Sequence, residues 1–170
     1  MTELDYKMKP HDIIKYDCDM AEMVGMTYLK DLSDDDLMKR PTDGCNHINW
    51  QVGHLIASEH DMMEQVFPGR SPKLPDGFAD KYSRETTGEN SAGEFANKEA
   101  LMDAYQKQRA ATKEILSCLS ADDLSKPAPE AMQAYAPTIG AMFALQGSHW
   151  MMHCGQWVIV RRQKGLPVAI

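Results

Sequence analysis

Four polar side chains recur at helical spacing in an apolar stretch near the carboxyl end of the chain. Residues 131–160 contain no Asp, Glu, Lys or Arg, and polar side chains lie three, four and three positions apart at Gln146, His149, His153 and Gln156. At about 100° per residue, this spacing puts all four on one narrow stripe of a helix. Because an apolar helix must satisfy its few polar groups, the stripe indicates an internal site.

His149 and His153 lie one helical turn apart, which is how a helix commonly supplies two nitrogen ligands to one metal ion. The alternative is a pair of hydrogen-bonded core histidines, because His-x-x-x-His also occurs by chance in many helices. The H-E-x-x-H motif of metalloproteases is excluded, since no glutamate follows His149.

A second candidate helix offers a third imidazole. His54 lies seven positions after His47 and seven before Asp61, so these side chains share a helix face. If this face meets the stripe, His54 completes a three-histidine set, the ligand pattern of a catalytic metal site with open positions. We interpret His47 as a polar residue at the helix start. Asp61, Gln146 and Gln156 are the candidates to accept the second N–H of a metal-bound imidazole.

Several other side chains are interpreted as structural. Glu59 and His60 point away from the face of His54 and are expected at the surface. Cys154 lies about 100° around the helix from His153 and is expected to pack rather than to ligate. Trp150 and Trp157 are expected to pack in the core or against a partner helix. The sequence also lacks G-x-S-x-G, P-loop and G-x-G-x-x-G motifs, which removes the usual support for serine hydrolase and nucleotide-binding functions.

The periodicity of apolar residues predicts four long helices, at residues 10–30, 46–66, 97–119 and 137–163. Asn46 and Asn97 are suitable N-caps for the second and third. The inward face of the first helix is expected to consist of Ile13, Tyr16, Met20, Met23 and Thr27. The chain is therefore predicted to be an all-α four-helix bundle that forms one domain over residues 1–170.

The connection between the second and third predicted helices is unusually long. Prolines and glycines exclude regular structure from most of residues 67–93, and long loops in compact domains are usually functional or disordered. Phe78 and Tyr82 are the residues that could attach it to one end of the bundle. A lid and a solvated linker both remain open as interpretations.

The phrase L-S-x-D-D-L occurs twice, at residues 32–37 and 119–124. Serine followed by acidic residues predicts a short capped helical turn, because the hydroxyl and the carboxylates meet free amides. The two copies fit either a pseudo-twofold repeat of the chain or a recurrent helix-start phrase.

Composition restricts the function classes. Lys and Arg total 18 against 25 Asp and Glu, a net charge of −7 that argues against a nucleic-acid partner. The four cysteines are widely spaced and form no C-x-x-C, which indicates reduced thiols in the cytoplasm. Residues 1–7 lack the apolar segment of a secretory signal. Pro137 and the polar stripe interrupt residues 131–160, so we expect a buried helix and no membrane partner.

Three sequence features together resemble the DinB/YfiT-like metalloenzyme superfamily: W-x-x-G-H-L at 50–55, H-x-x-x-H-x-G-Q at 149–156 and G-L-P at 165–167. The resemblance covers nearly the whole chain. It implies an up-down-down-up four-helix bundle, commonly a homodimer, whose metal ligands map onto His54, His149 and His153. The implied cofactor is one divalent transition metal, zinc or nickel first, with iron or manganese as alternatives.

The resemblance also implies candidate reactions. Characterised relatives include transferases and isomerases that use low-molecular-weight thiols. A related sulfoxide synthase has a glutamate where this chain has Gly155, which argues against iron-dependent oxygen chemistry. Two hypotheses follow. The first is a divalent-metal-dependent enzyme, a thiol S-transferase or a metal-assisted hydrolase acting on a small molecule. The second is a non-catalytic, metal-binding, stress-related dimer.

Overall fold

A computed structural model describes residues 8–170, which contain seven α-helices and, beyond one β-bridge, no extended pairing. The helices are α1 (Pro10–Leu29), α2 (Asp34–Leu37), α3 (Ile48–Val66), α4 (Phe78–Lys81), α5 (Lys98–Ser117), α6 (Ala121–Ser125) and α7 (Ile139–Gln163). The four long helices α1, α3, α5 and α7 confirm the four that the periodicity predicted. Across this part of the chain, no helix has the length and apolar character needed to cross a bilayer. Residues 1–7, where no secretory signal is expected, lie outside the described residues.

Helices α1 and α7 form a tightly packed parallel pair. The Sγ of Cys18 in α1 lies 3.9 Å from the carbonyl of Phe143 in α7, and further along both helices Arg161 donates to the carbonyl of Tyr28 over 2.8 Å. Residue numbers rise together in the two helices, so the first and last long helices run in the same direction.

Helix α3 runs antiparallel to α7 and parallel to α5. Gln51 near the start of α3 contacts Trp157 near the end of α7. Later in α3, Glu59 pairs with Arg109 of α5. The order is therefore up-down-down-up, as the resemblance implied. The pairing also corrects the expectation that Glu59 lies at the surface, because its side chain is 3% exposed and receives the guanidinium of a helix far away in sequence.

The helix starts follow side-chain capping. His47, rather than Asn46, is the N-cap of α3, because its Nδ1 accepts the backbone N–H of Trp50 over 2.9 Å. Asn97 caps α5 as predicted. Both L-S-x-D-D-L phrases form the predicted capped turns, in which Ser33 and Ser120 begin α2 and α6 with complete capping boxes.

The predicted inward face of α1 is wrong. Ile13 and Tyr16 are 55% and 65% exposed, and Met20 and Met23 are also exposed. The buried face consists of the smaller residues Ile14, Cys18, Ala21, Val24, Gly25 and Leu29. Both sides of α1 are apolar, so periodicity alone cannot choose between them, and the close approach of α7 selects the side with small residues.

The long connection between α3 and α5 is attached to the bundle by buried aromatic residues, while most of its other residues are exposed or half-buried. It contains α4 and two 3₁₀ turns, Arg84–Thr86 and Ala92–Glu94. Phe78 and Tyr82 are buried, which confirms them as its attachment points. The ring of Tyr82 lies directly over Gly53, where any Cβ would overlap it. This contact brings the connection next to His54.

Candidate metal centre

Three imidazoles converge between α3 and α7. His54 comes from α3 and His149 and His153 come from successive turns of α7, and one ligand nitrogen from each lies within 4.8 Å of the others. The ring centroid of His54 is 5.5 Å from that of His149 and 6.1 Å from that of His153. Because the two helices are antiparallel neighbours, a single residue of α3 can face two residues of α7. The structure thus brings together the three histidines that the spacing singled out.

Burial keeps these imidazoles neutral. It lowers the pKa of both His149 and His153 to about 4, and repulsion between the neighbouring histidines acts in the same direction. Burial also lowers the pKa of His54, against an opposing hydrogen bond with the backbone of Tyr82. All three rings are therefore uncharged near pH 7, which is the form that binds metal ions.

Gln51 links the cluster to its surroundings. Its Oε1 lies 2.9 Å from Nδ1 of His153 and accepts the indole N–H of Trp157, also over 2.9 Å. Its Nε2 donates to the carbonyl of Asn46 over 2.6 Å and to Oε1 of Gln156 over 3.0 Å. Gln156, which the sequence placed next to the imidazoles, thus reaches His153 only through Gln51.

Gln146 and Asp61 lie elsewhere. Gln146 is buried, but its Nε2 donates to the carbonyl of Met142 one turn earlier in α7. Asp61 is exposed, and its carboxylate accepts a hydrogen bond from Gln65. The structure makes no hydrogen bond between either side chain and the three histidines.

His47 and Cys154 take the structural roles expected of them. His47 caps α3 and packs edge-on against Phe95, with ring centroids 4.8 Å apart. Cys154 is 1% exposed, and burial raises the pKa of its thiol to about 12. A thiol this reluctant to ionise is a poor metal ligand and a poor nucleophile, because both roles need the thiolate.

The spacing of polar residues does not predict the roles of Trp50 and Gln51. The indole of Trp50 stacks on the imidazole of His54, with centroids 4.9 Å apart and planes 8° from parallel. Its Nε1 donates to the carbonyl of Ser83 and to Thr86, both in the long connection. Helical spacing could have placed both residues beside His54, because residues three and four positions before it lie on the same side of the helix.

The donor set fits a divalent transition metal. Neutral imidazoles suit zinc, nickel, iron and copper. Structural zinc sites are closed by four protein ligands, whereas catalytic sites use three and keep a position for water or substrate. Among residues 8–170, the cluster offers three nitrogens, which matches the catalytic pattern.

Comparison with known proteins identifies the family. The crystal structure of a conserved protein from Enterococcus faecalis has a similar fold, with a TM-score of 0.68 at 19% identity over 92% of this chain and 97% of that one. At this identity the similarity concerns the fold alone. No functionally curated protein matches the sequence. The family model of the DinB superfamily matches residues 20–157. Because this match spans well over half of the chain, the protein belongs to the DinB superfamily.

Proposed function

We propose that the protein is a divalent-metal-dependent enzyme in which His54, His149 and His153 hold one metal ion. The observation that carries the proposal is the convergence of three neutral imidazole nitrogens within 4.8 Å between two antiparallel helices. Zinc and nickel are the ions proposed first. Iron and manganese are kept as alternatives, because imidazole ligands alone do not select among these four ions.

The surrounding residues hold these donors in place. Trp50 covers one face of His54, and its indole N–H fixes the long connection beside the same ring. Desolvation keeps protons off the imidazoles at neutral pH, so the ligand set needs no deprotonation before an ion binds. A bound divalent ion supplies Lewis acidity, which lowers the pKa of a coordinated water or thiol.

The reaction class that we propose is S-transfer from a low-molecular-weight thiol to a small electrophile, with metal-assisted hydrolysis as the alternative. In the transfer, the thiol gives up its proton, its sulfur bonds to an electrophilic carbon, and the leaving group departs with the bonding electron pair. Membership of the superfamily and the three-nitrogen donor set support this class. The net charge of −7 favours a small-molecule substrate over a nucleic acid.

A second candidate is a non-catalytic, stress-related metal-binding protein. One observation favours it, namely that the histidines belong to two different helices, so a bound ion would crosslink α3 to α7. In that case the metal contributes folding free energy, and its removal unfolds the protein.

Elemental mass spectrometry tests the site on protein purified without a metal-affinity tag. We expect near-stoichiometric metal in the wild type and less than about a tenth of that in His149→Ala, while His60→Ala retains the wild-type content. Trace metal in all three proteins would refute the site. Circular dichroism of the chelated wild type then separates the candidates, since a catalytic protein stays folded and a structural one unfolds.

We also propose a homodimer formed through the α1–α7 face, defined by exposed Ile13, Tyr16, Met20 and Met23 of α1 and Met151 and Ile159 of α7. Helices α1 and α7 are neighbours. All six of these exposed side chains are uncharged, although charged residues make up 25% of the protein. Uncharged patches of this kind mark interaction surfaces. A second copy is the proposed partner, because a twofold rotation places two parallel helices against two antiparallel ones and closes the assembly.

Localisation and domain organisation are proposed on simpler grounds. The four cysteines, all within the described residues, are free of disulfides, which supports a reducing compartment such as the cytoplasm. One bundle accounts for the helices of residues 8–170, and this supports a single domain over residues 1–170.

A further inference from the structure

The side-chain amide of Gln51 uses its full hydrogen-bonding capacity in a buried position. The residue is 1% exposed. Its oxygen faces Nδ1 of His153 and Nε1 of Trp157, and its nitrogen faces the carbonyl of Asn46 and Oε1 of Gln156. An amide offers two acceptor sites and two donor hydrogens. All four are in use.

Two of these partners determine the orientation of the Gln51 amide, that is, the sides on which its oxygen and its nitrogen lie. An indole N–H can only donate, and a backbone carbonyl can only accept. Trp157 therefore requires the amide oxygen on its side, and Asn46 requires the amide nitrogen on the other. The reversed amide would place its N–H groups against the indole N–H of Trp157 and leave the carbonyl of Asn46 without a donor. A buried polar group left unpaired costs about 1–3 kcal/mol.

The orientation of the amide decides the tautomer of His153. An oxygen 2.9 Å from Nδ1 requires a hydrogen on that nitrogen. A neutral imidazole carries only one such hydrogen, so its lone pair lies on Nε2. We infer that Gln51 is a positioning residue that holds the proton at Nδ1 of His153 and thereby presents Nε2 as the ligand atom. The part about the ligand atom rests on the proposed metal site, whereas the part about the tautomer does not.

Gln51 also holds the ring of His153 in place across the helix interface. Trp157 lies one turn after His153 on α7 and donates to the same oxygen. The pair ties Gln51 of α3 to two successive turns of α7. Rotation of the His153 ring away from the cluster would leave one acceptor site of the Gln51 oxygen empty. Partners of this kind commonly contribute tenfold to a hundredfold to metal affinity.

Nitrogen-15 NMR of the imidazoles in metal-free protein tests the tautomer directly. We expect wild-type His153 to show a protonated Nδ1 and an unprotonated Nε2. Gln51→Leu, which removes the acceptor, should give a mixture of tautomers. Gln51→Glu keeps an oxygen facing Nδ1 and should retain the proton on that nitrogen, while its second oxygen cannot donate to the carbonyl of Asn46 and should lower the free energy of unfolding. Gln156→Leu is the matched control, because it removes a partner of Gln51 and leaves the oxygen facing His153 in place.

Zinc titration of the same proteins tests the consequence for the ligand. We expect Gln51→Leu to weaken zinc binding about tenfold to a hundredfold. Gln51→Glu should bind at least as tightly as the wild type, and Gln156→Leu should lie within about threefold of it. If Gln51→Leu fails to fold by circular dichroism, the tautomer of His153 in the wild type still carries the test, because a proton on Nε2 would overturn the inference.

The two measurements separate the possible failures. Wild-type protein that binds no zinc but shows the Nδ1 tautomer would refute the proposed metal site and leave the role of Gln51 in fixing the tautomer supported. A wild-type His153 protonated at Nε2 would overturn the inference. So would zinc affinity and tautomer that are unchanged in Gln51→Leu.

Discussion

Glu59 Oε2 and Arg109 Nη2 lie 2.8 Å apart in the bundle interior, with side chains 3% and 2% exposed. The guanidinium also lies 5.5 Å from the ring centroid of Tyr105. Within the described residues, Glu59 Oε1 and two nitrogens of Arg109 have no protein partner. The pair links α3 to α5, the two middle helices of the bundle. Because both side chains are buried, the loss of either partner would leave an unpaired charge in the interior.

Replacing one member of this pair should be more harmful than replacing both. We expect Arg109→Met to lower the free energy of unfolding by about 3–5 kcal/mol, because it leaves the carboxylate of Glu59 buried without a counter-charge. The double variant Glu59→Leu/Arg109→Met should recover most of that loss, since apolar residues of similar volume remove the desolvation cost. Urea denaturation measures both. A single variant within 1 kcal/mol of the wild type would contradict the expectation.

The same ion pair illustrates what the sequence could and could not predict. The three histidines were predictable because their chemistry and spacing are local to two helices. Glu59 was not, because its burial depends on Arg109, which lies fifty positions away in sequence. The inward face of α1 failed for a related reason, since only the packing of α7 distinguishes its two apolar sides.

The role of Gln51 also depends on long-range contacts. Its face on α3 could be assigned from spacing, but its hydrogen bonds to His153 and Trp157 depend on the register between α3 and α7. Register is set by packing over the whole helix length. Asp61 lies two turns after His54 and on the same nominal face of α3, but its side chain is exposed.

Gly53 should be intolerant of any side chain. A Cβ at this position would overlap the ring of Tyr82, which attaches the long connection beside His54. We expect Gly53→Ala to destabilise the protein by about 1–3 kcal/mol through overpacking. Gly155→Ala is the matched control, because it is also helical and nothing lies within 4 Å of the added Cβ. This control should gain about 0.5–1 kcal/mol from helix propensity. Equal effects of the two substitutions in thermal unfolding would argue against the packing of Tyr82.

Metal-free protein should lose stability as the pH falls from about 6.5 to about 4. Burial lowers the pKa of His47, His149 and His153 to about 4, below the ordinary value of 6.5. The unfolded chain therefore binds protons first across this window, so acid favours unfolding. Each group contributes at most about 1.4 kcal/mol per pH unit.

Chemical denaturation in the presence of a chelator, repeated from pH 7.5 to 4.5, measures this slope. His149→Ala/His153→Ala should reduce the slope and leave the shares of His47 and His54, whose pKa values burial also lowers. Stability that stays constant between pH 7 and 5 in the wild type would contradict the neutral state of the buried imidazoles.

Charged substitutions on the α1–α7 face should dissociate the proposed homodimer. Met20 and Met151 are 36% and 41% exposed, so a glutamate at either position remains solvated in a single chain. In a twofold dimer, each substitution enters the interface twice and buries carboxylates without counter-charges. We expect Met20→Glu/Met151→Glu to raise the dimer dissociation constant at least about a hundredfold, which corresponds to about 2.7 kcal/mol.

Sedimentation equilibrium is the measurement for this prediction, with Tyr135→Glu as the control. Tyr135 is 56% exposed and precedes α7, outside the α1–α7 face, so this variant should remain dimeric. A wild type that sediments as a monomer at tens of micromolar would refute the dimer, and a dimeric double variant would refute the face. Because the opposite side of α1 keeps its contacts with α7, the far-ultraviolet circular dichroism of the double variant should match the wild type. A monomeric double variant with unchanged helicity would show that the exposed apolar residues of α1 serve dimerisation and do not belong to the core of the single chain.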